Sequence, residues 1–143
     1  YERFQAHHEN IYTKFARMPD KELSEIISKC YFHLCPSEYE GFGHGIWEAK
    51  STGGIVITTN APPMNETVTE GVDGFLVKPT SYKRMNIAKT AIIAYRDLQA
   101  VIEKTFDLTE AELKGMSAAS RRRWEENDKY FKTMLIRIIN EIA

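Results

Sequence analysis

An α/β fold built on a parallel sheet is what this sequence predicts, and three features predict it. The apolar run Tyr31 to Cys35 feeds into a Pro36-Ser37 turn. A loop with glycines at 41 and 43 follows, and then a short helical segment. The β-branched run Ile55-Val56-Ile57-Thr58-Thr59 comes next, preceded by the pair Gly53-Gly54. Strand, loop, helix, strand is the unit of a parallel sheet, whose ligands sit beyond the carboxyl ends of its strands.

The remaining elements follow in order. Tyr1 to Asn10 is polar and reads as the end of a helix and its turn. Ile11 to Arg17 alternates as a strand does, and Pro19 stops it. Asp20 is a good N-cap for the helix in which Leu23, Ile26, Ile27 and Cys30 recur at i, i+3, i+4 and i+7. After Thr59, Pro62 and Pro63 predict an extended path through Asn60 to Glu66. Gly71-Val72-Asp73-Gly74 reads as a turn into a short strand, Phe75 to Val77, closed by Pro79. From Ser81 the period becomes helical, with Met85, Ala88, Ile92, Tyr95, Leu98 and Ile102 along one side of a long helix. At the next helix start Thr109 caps, Glu112 closes the capping box, and Leu108 can staple to Leu113. Asp128 is placed to cap a last helix with Phe131, Leu135, Ile138 and Ile142 inward.

Composition narrows the function. A chain of 143 residues, 27% charged and 43% hydrophobic, has the size and make-up of one globular domain. A net charge of −1 gives no basic footprint for nucleic acid. No apolar run approaches the roughly 20 residues of a membrane span. The two cysteines, Cys30 and Cys35, fit free thiols in a reducing, cytoplasmic setting. Neither they nor His33, His7 and His8 have zinc-ligand spacing, and the chain has no Asp-x-Asp pair. The run Arg121-Arg122-Arg123 lies beside Glu125 and Glu126 and reads as solvated helix surface.

The loop after Cys35 carries the chemistry. A helix starting near His44 or Gly45 leaves its first N–H groups unpaired and positively polarised. Gly41, Gly43 and Gly45 let the backbone approach a ligand and adopt positive φ. That combination suits a phosphate or diphosphate. Carboxylates beside a phosphate would repel it, so Glu40 and Glu48 fit acceptors of hydrogen bonds from neutral hydroxyls. A phosphate flanked by hydroxyl readers describes a nucleotide-sugar.

Pro36-Ser37, Glu40-Gly41-Phe42-Gly43, Glu48-Ala49 and Gly53 resemble the carboxyl-terminal half of retaining glycosyltransferases of the GT-B fold, in the large group-1 family. Its Glu-x7-Glu signature is met by Glu40 and Glu48, and the likeness extends to Phe15, Asp20-Lys21-Glu22-Leu23, Glu66, Gly71 and Gly74 to Val77. The resemblance implies a Rossmann-like parallel sheet flanked by helices, and transfer of a hexose from a UDP- or GDP-sugar with retention, without metal or cofactor. It implies that Glu40, in the catalytic position, reads donor-sugar hydroxyls. Gly41, Phe42 and Gly43 would meet the diphosphate through backbone N–H groups, and Glu48 would hold the ribose diol. It places Ala16, Arg17 and Met18 at the base pocket.

Phe42 itself reads as a packing residue. His44 stands where the family has an apolar residue; its imidazole either serves the diphosphate or is exposed and idle. The family has glycines in the loop where this chain has Pro62 and Pro63, and a proline where it has Ile55. The family's domain also opens with two further strands supplying an Arg and a Lys to the diphosphate, and nothing before Ile11 can hold them. The chain is therefore expected to be one partial nucleotide-sugar-binding domain over residues 1–143. Helices from about 109 to 143 would reach toward an amino-terminal, acceptor-binding domain outside it. Their apolar stripe either packs on the chain's own sheet or awaits that domain. A non-catalytic binding or interaction module with the same fold is the alternative.

Overall fold

The computed structural model describes residues 17–85 and 88–142. The expected strand from Ile11 lies outside them, apart from Arg17. Helix α1 spans Asp20–Ser28. Strand β1 is Phe32–Cys35, α2 is His44–Ser51 and β2 is Ile55–Thr59. A short 3-10 turn, Met64–Glu66, precedes β3, Gly74–Val77. Strands β4, Ser81–Met85, and β5, Ala88–Ile92, lead to α3, Tyr95–Thr105, and α4, Glu110–Ile142.

Strands β1, β2 and β3 form a parallel sheet in that order, with Phe32 opposite Ile55 and Ile57 opposite Phe75. All five residues of the central β2 are buried, as a strand covered on both faces requires. Its side chains alternate between two cores. Val56 packs with Ile46, Ala49, Met64 and Val68 on the α2 side. Ile55 and Ile57 pack with Phe75, Val77 and Met116 on the side of α3 and α4. Each such aliphatic side chain contributes about 1.5–3 kcal/mol by leaving water. The threonines that end β2 tie it to β1: the Thr58 hydroxyl donates to the Cys35 carbonyl at 2.8 Å and that of Thr59 to the Ser37 carbonyl at 2.6 Å.

The predicted strand-loop-helix-strand unit is therefore present, and the structure differs elsewhere. Asp20 is the first residue of α1 rather than its cap; Pro19 occupies the N-cap position without a side-chain bond. The apolar face of α1 stays open, with Leu23 and Ile26 both exposed. Pro62 and Pro63 do not hold an extended path, since Pro63 has helical backbone angles and starts the 3-10 turn. The long helix expected from Ser81 is instead the antiparallel pair β4 and β5 followed by α3. Tertiary pairing wins there. The β-branched Thr90 is buried in β5, and the Ala91 N–H donates to the Glu38 carbonyl at 2.8 Å. Thr80 then delays the helix, its hydroxyl accepting from the Ala94 N–H and donating to Asp97.

Thr109 and Glu112 form the capping box as expected, and Leu108 and Leu113 each pack against the second core. No new helix begins at Asp128, which pairs with Lys132 in mid-helix. Helix α4 is one rod, about 50 Å long at 1.5 Å per residue. Its first half is fixed to the sheet, with Met116 and Ser120 buried. The Ser120 hydroxyl donates to the Gly54 carbonyl at 2.6 Å. Its second half does not turn inward: Phe131, Leu135, Ile138 and Ile142 are all exposed, and the stripe does not pack on the sheet.

Candidate functional site

The site grows from the end of β1. The Ser37 N–H turns back to the Cys35 carbonyl, and its hydroxyl donates to Glu40 Oε1 at 2.7 Å. This bond holds the half-buried Glu40 carboxylate where the loop reaches α2. Gly43 is the N-cap of α2 with φ +73, a left-handed conformation that glycine adopts without steric cost. Its carbonyl accepts from the Ile46 and Trp47 N–H groups. The earlier N–H groups of the helix have no intrahelical acceptor and point outward with the positive end of the dipole. Gly41 and Gly45 do not have positive φ, so only one of the three glycines needs it.

The loop opens on a cavity of about 510 Å³ with three walls. Glu40, Gly41, Phe42 and Gly43 form the first, with Ile46 and Trp47 behind them. Pro63, Met64, Glu66 and Thr67 form the second, and α4 supplies the third. Phe42 is not a packing residue, because its ring is exposed and lies against that of His44, centroids 5.0 Å apart. His44 is exposed at the head of α2.

Glu48 is set apart from this group. It sits on another face of α2 and lines a separate hollow of about 200 Å³ with Asp20, Leu23, Ser24 and Ile27 of α1. The two glutamates thus do not share a cavity. Arg17 and Met18 lie in the segment entering α1 and line neither of these two hollows, and Ala16 lies outside the described residues.

A charged cluster beneath the site escaped the sequence reading. Lys50, wholly buried, places Nζ 3.1 Å from Asp73 Oδ2. Asp73 Oδ1 accepts from the Thr69 N–H at 2.6 Å, and Arg123 Nε approaches Oδ2 at 3.8 Å. Burial lowers the Lys50 pKa; Asp73 opposes that shift, and Arg123 adds to it. One clue was available. Lys50 falls four residues after Ile46 on the inward face of α2, and a charge there demands a partner. Arg121 and Arg123 are also not merely solvated. Arg121 reaches the Ser51 carbonyl and lies over the Trp124 ring, while Arg123 donates to the Glu66 carbonyl at 2.8 Å.

The Cys35 thiol is pushed up in pKa by burial and by the Glu40 charge, which disfavours the nucleophilic thiolate. Among the described residues, no group of three or more His, Cys, Asp or Glu side chains is arranged to hold a metal. No described helix is long and apolar enough to cross a membrane.

These features set a helix start and an acidic loop beside an open cavity on a parallel α/β sheet. Residues 5–105 match the family of glycosyl transferases group 1, and the chain belongs to it. A GDP-mannose:cellobiosyl-diphosphopolyprenol alpha-mannosyltransferase from Komagataeibacter xylinus is 33% identical over 105 residues. That match covers 73% of this chain and 25% of the relative, so the chain spans about a quarter of its length. The crystal structure of the C-terminal domain of a group 1 glycosyl transferase, LpcC from Francisella tularensis, superimposes with a TM-score of 0.53 at 19% identity. It covers 79% of this chain and 49% of that one, and it shows the same fold. A structure of Anabaena HepE in complex with UDP-glucose matches at TM-score 0.48 and 21% identity, covering 77% of this chain and 29% of that one.

Proposed function

We propose that the chain is the donor-binding part of a retaining hexosyltransferase that uses a UDP- or GDP-linked sugar. The observation that carries this reading is the Gly43 N-cap of α2, which opens beside a carboxylate held by Ser37 onto a cavity of sugar size. The nucleotide-sugar would lie across the head of α2. Its sugar would occupy the cavity beside Glu40, and its diphosphate would meet the N–H groups from Gly41 to Gly45. Its ribose would turn to Glu48 and its base to Arg17 and Met18. The two hollows on different faces of α2 suit such an extended ligand. A group-1 relative named for GDP-mannose supports a hexose donor.

In this reading Glu40 and Glu48 are acceptors for hydroxyls and not a hydrolytic acid pair. The departing nucleoside diphosphate gains negative charge, and the head of α2 stabilises it. The exposed second half of α4 is the surface that an amino-terminal acceptor domain would cover, and the whole enzyme would act in the cytoplasm without a metal.

Calorimetric titration with UDP, GDP and their sugars tests the donor site. Binding of one nucleotide family is expected, with loss of most affinity in Glu48→Ala and weaker binding in His44→Ala if the imidazole serves the diphosphate. No affinity for any of them would overturn the assignment. A glycosyl-transfer assay on a chain that includes the amino-terminal domain then decides catalysis.

A further inference from the structure

The third wall of the large cavity comes from α4, where Arg123, Glu126, Asn127 and Tyr130 recur at i, i+3, i+4 and i+7 and so share one face. Arg123 fixes that face in place. Its Nη2 donates to the Glu66 carbonyl at 2.8 Å and its Nη1 to the Thr69 hydroxyl at 3.2 Å. Glu66 is itself part of the second wall, so the spacing between two walls is set by the protein. Arg123 also faces Asp73, and against its one positive charge the cavity lining sets three carboxylates, Glu40, Glu66 and Glu126. The excess of carboxylates disfavours an anion between α4 and Glu40, whereas a neutral ligand rich in O–H donors finds an acceptor on each of the three walls.

We propose that Asn127 and Tyr130 determine specificity by contacting hydroxyls of a neutral pyranose seated between α4 and Glu40. The inference rests on the donor-site reading, since Glu40 belongs to both. The amide offers a donor and an acceptor and the phenol one O–H, enough to distinguish one hydroxyl configuration from another. The pyranose could be that of the donor or that of a saccharide acceptor, and the test separates them.

The full chain is titrated with GDP, GDP-mannose, UDP, UDP-glucose and methyl α-mannoside, as wild type, Asn127→Ala and Tyr130→Phe. Each variant should weaken the preferred sugar-nucleotide by roughly three- to tenfold, the loss of about one hydrogen bond, and leave the parent nucleoside diphosphate within about twofold. Loss confined to the methyl glycoside supports the pyranose site and assigns it to the acceptor. Equal losses for nucleotide and sugar-nucleotide, or none for any probe, overturn the proposal. If wild type binds the nucleoside diphosphates without gain from the sugar, this inference fails and the donor reading survives. If wild type binds no probe, both fail.

Discussion

Lys50 and Asp73 form an ion pair at 3.1 Å with both side chains out of solvent. It joins the last turn of α2 to the turn that precedes β3, and Arg123 brings α4 to the same carboxylate. Three charges thus fasten together the helix whose head faces the cavity, the segment behind its second wall and the helix that forms its third. The geometry of the site depends on a pair, Lys50 and Asp73, that does not itself line the cavity.

The two ends of that pair are not equivalent. Asp73→Ala leaves Lys50 buried without its carboxylate, and a loss of about 3–5 kcal/mol in unfolding free energy is expected. Lys50→Met should cost less, because Asp73 keeps the Thr69 N–H and the Arg123 side chain. Urea denaturation of both variants ranks them, and a larger loss for Lys50→Met would show that Arg123 does not support the aspartate.

How much of this was legible in the sequence follows from the range of each interaction. The segment from β1 to β2 has its period, its glycines and its β-branched run all in agreement, so its elements and the head of α2 could be read directly. The capping box of Thr109 and Glu112 is equally local. From Ser81 to Ile92 the apolar spacing fits a helix, and only pairing of β4 with β5 and the bond from Ala91 to Glu38 decides otherwise. The site shows the same division. The loop with Glu40 was found from local chemistry, whereas Arg123 and Asn127 reach the cavity because α4 packs against α2, and Tyr130 only because α4 runs on past Asp128. That continuity is a tertiary fact, and the helix-capping character of Asp128 pointed the other way.

The glycines of the loop separate backbone need from ligand approach. At Gly43 a methyl group would meet Ile46 at an ordinary 3.5 Å, so the cost of Gly43→Ala comes from its φ of +73. About 1–2 kcal/mol of stability should be lost. Nothing lies within 4 Å of a Cβ built at Gly41 or Gly45. Gly41→Ala should be near neutral, and Gly45→Ala, inside the first turn, should gain up to about 1 kcal/mol. Nucleotide affinity measured beside stability then has a clear meaning. A folded Gly41→Ala with weaker binding marks close approach of the ligand, while full affinity would place the diphosphate elsewhere.

Gly54 has a different reason to be glycine. A Cβ there would collide with the His33 ring and stand 2.8 Å from the Ala49 carbonyl, where α2 hands over to β2. The carbonyl of the same residue accepts the Ser120 hydroxyl from α4. Gly54→Ala should therefore cost about 1–3 kcal/mol through overpacking. Ser120→Ala should cost about 1–3 kcal/mol by leaving a buried carbonyl unpaired. The two changes act on one junction, so their double variant should depart from additivity. Chemical denaturation of the three proteins checks this, and strict additivity would mean that the strand and α4 respond independently.

His33 gives the fold a dependence on pH. Its ring packs at that junction, with Nε2 3.2 Å from the Cys30 carbonyl, and burial lowers its pKa below 6.5 against the opposing effect of its backbone bonds. The neutral ring is thus favoured in the folded state, and the unfolded chain binds more protons between the lowered value and 6.5. This contribution to stability is fully present above the unfolded value and is lost as pH falls toward the folded one. Wild type should lose stability as pH falls below 6.5 more steeply than His33→Gln, which cannot become charged. Urea midpoints of both proteins across that range provide the measurement. Parallel slopes would show that another group governs the acid response.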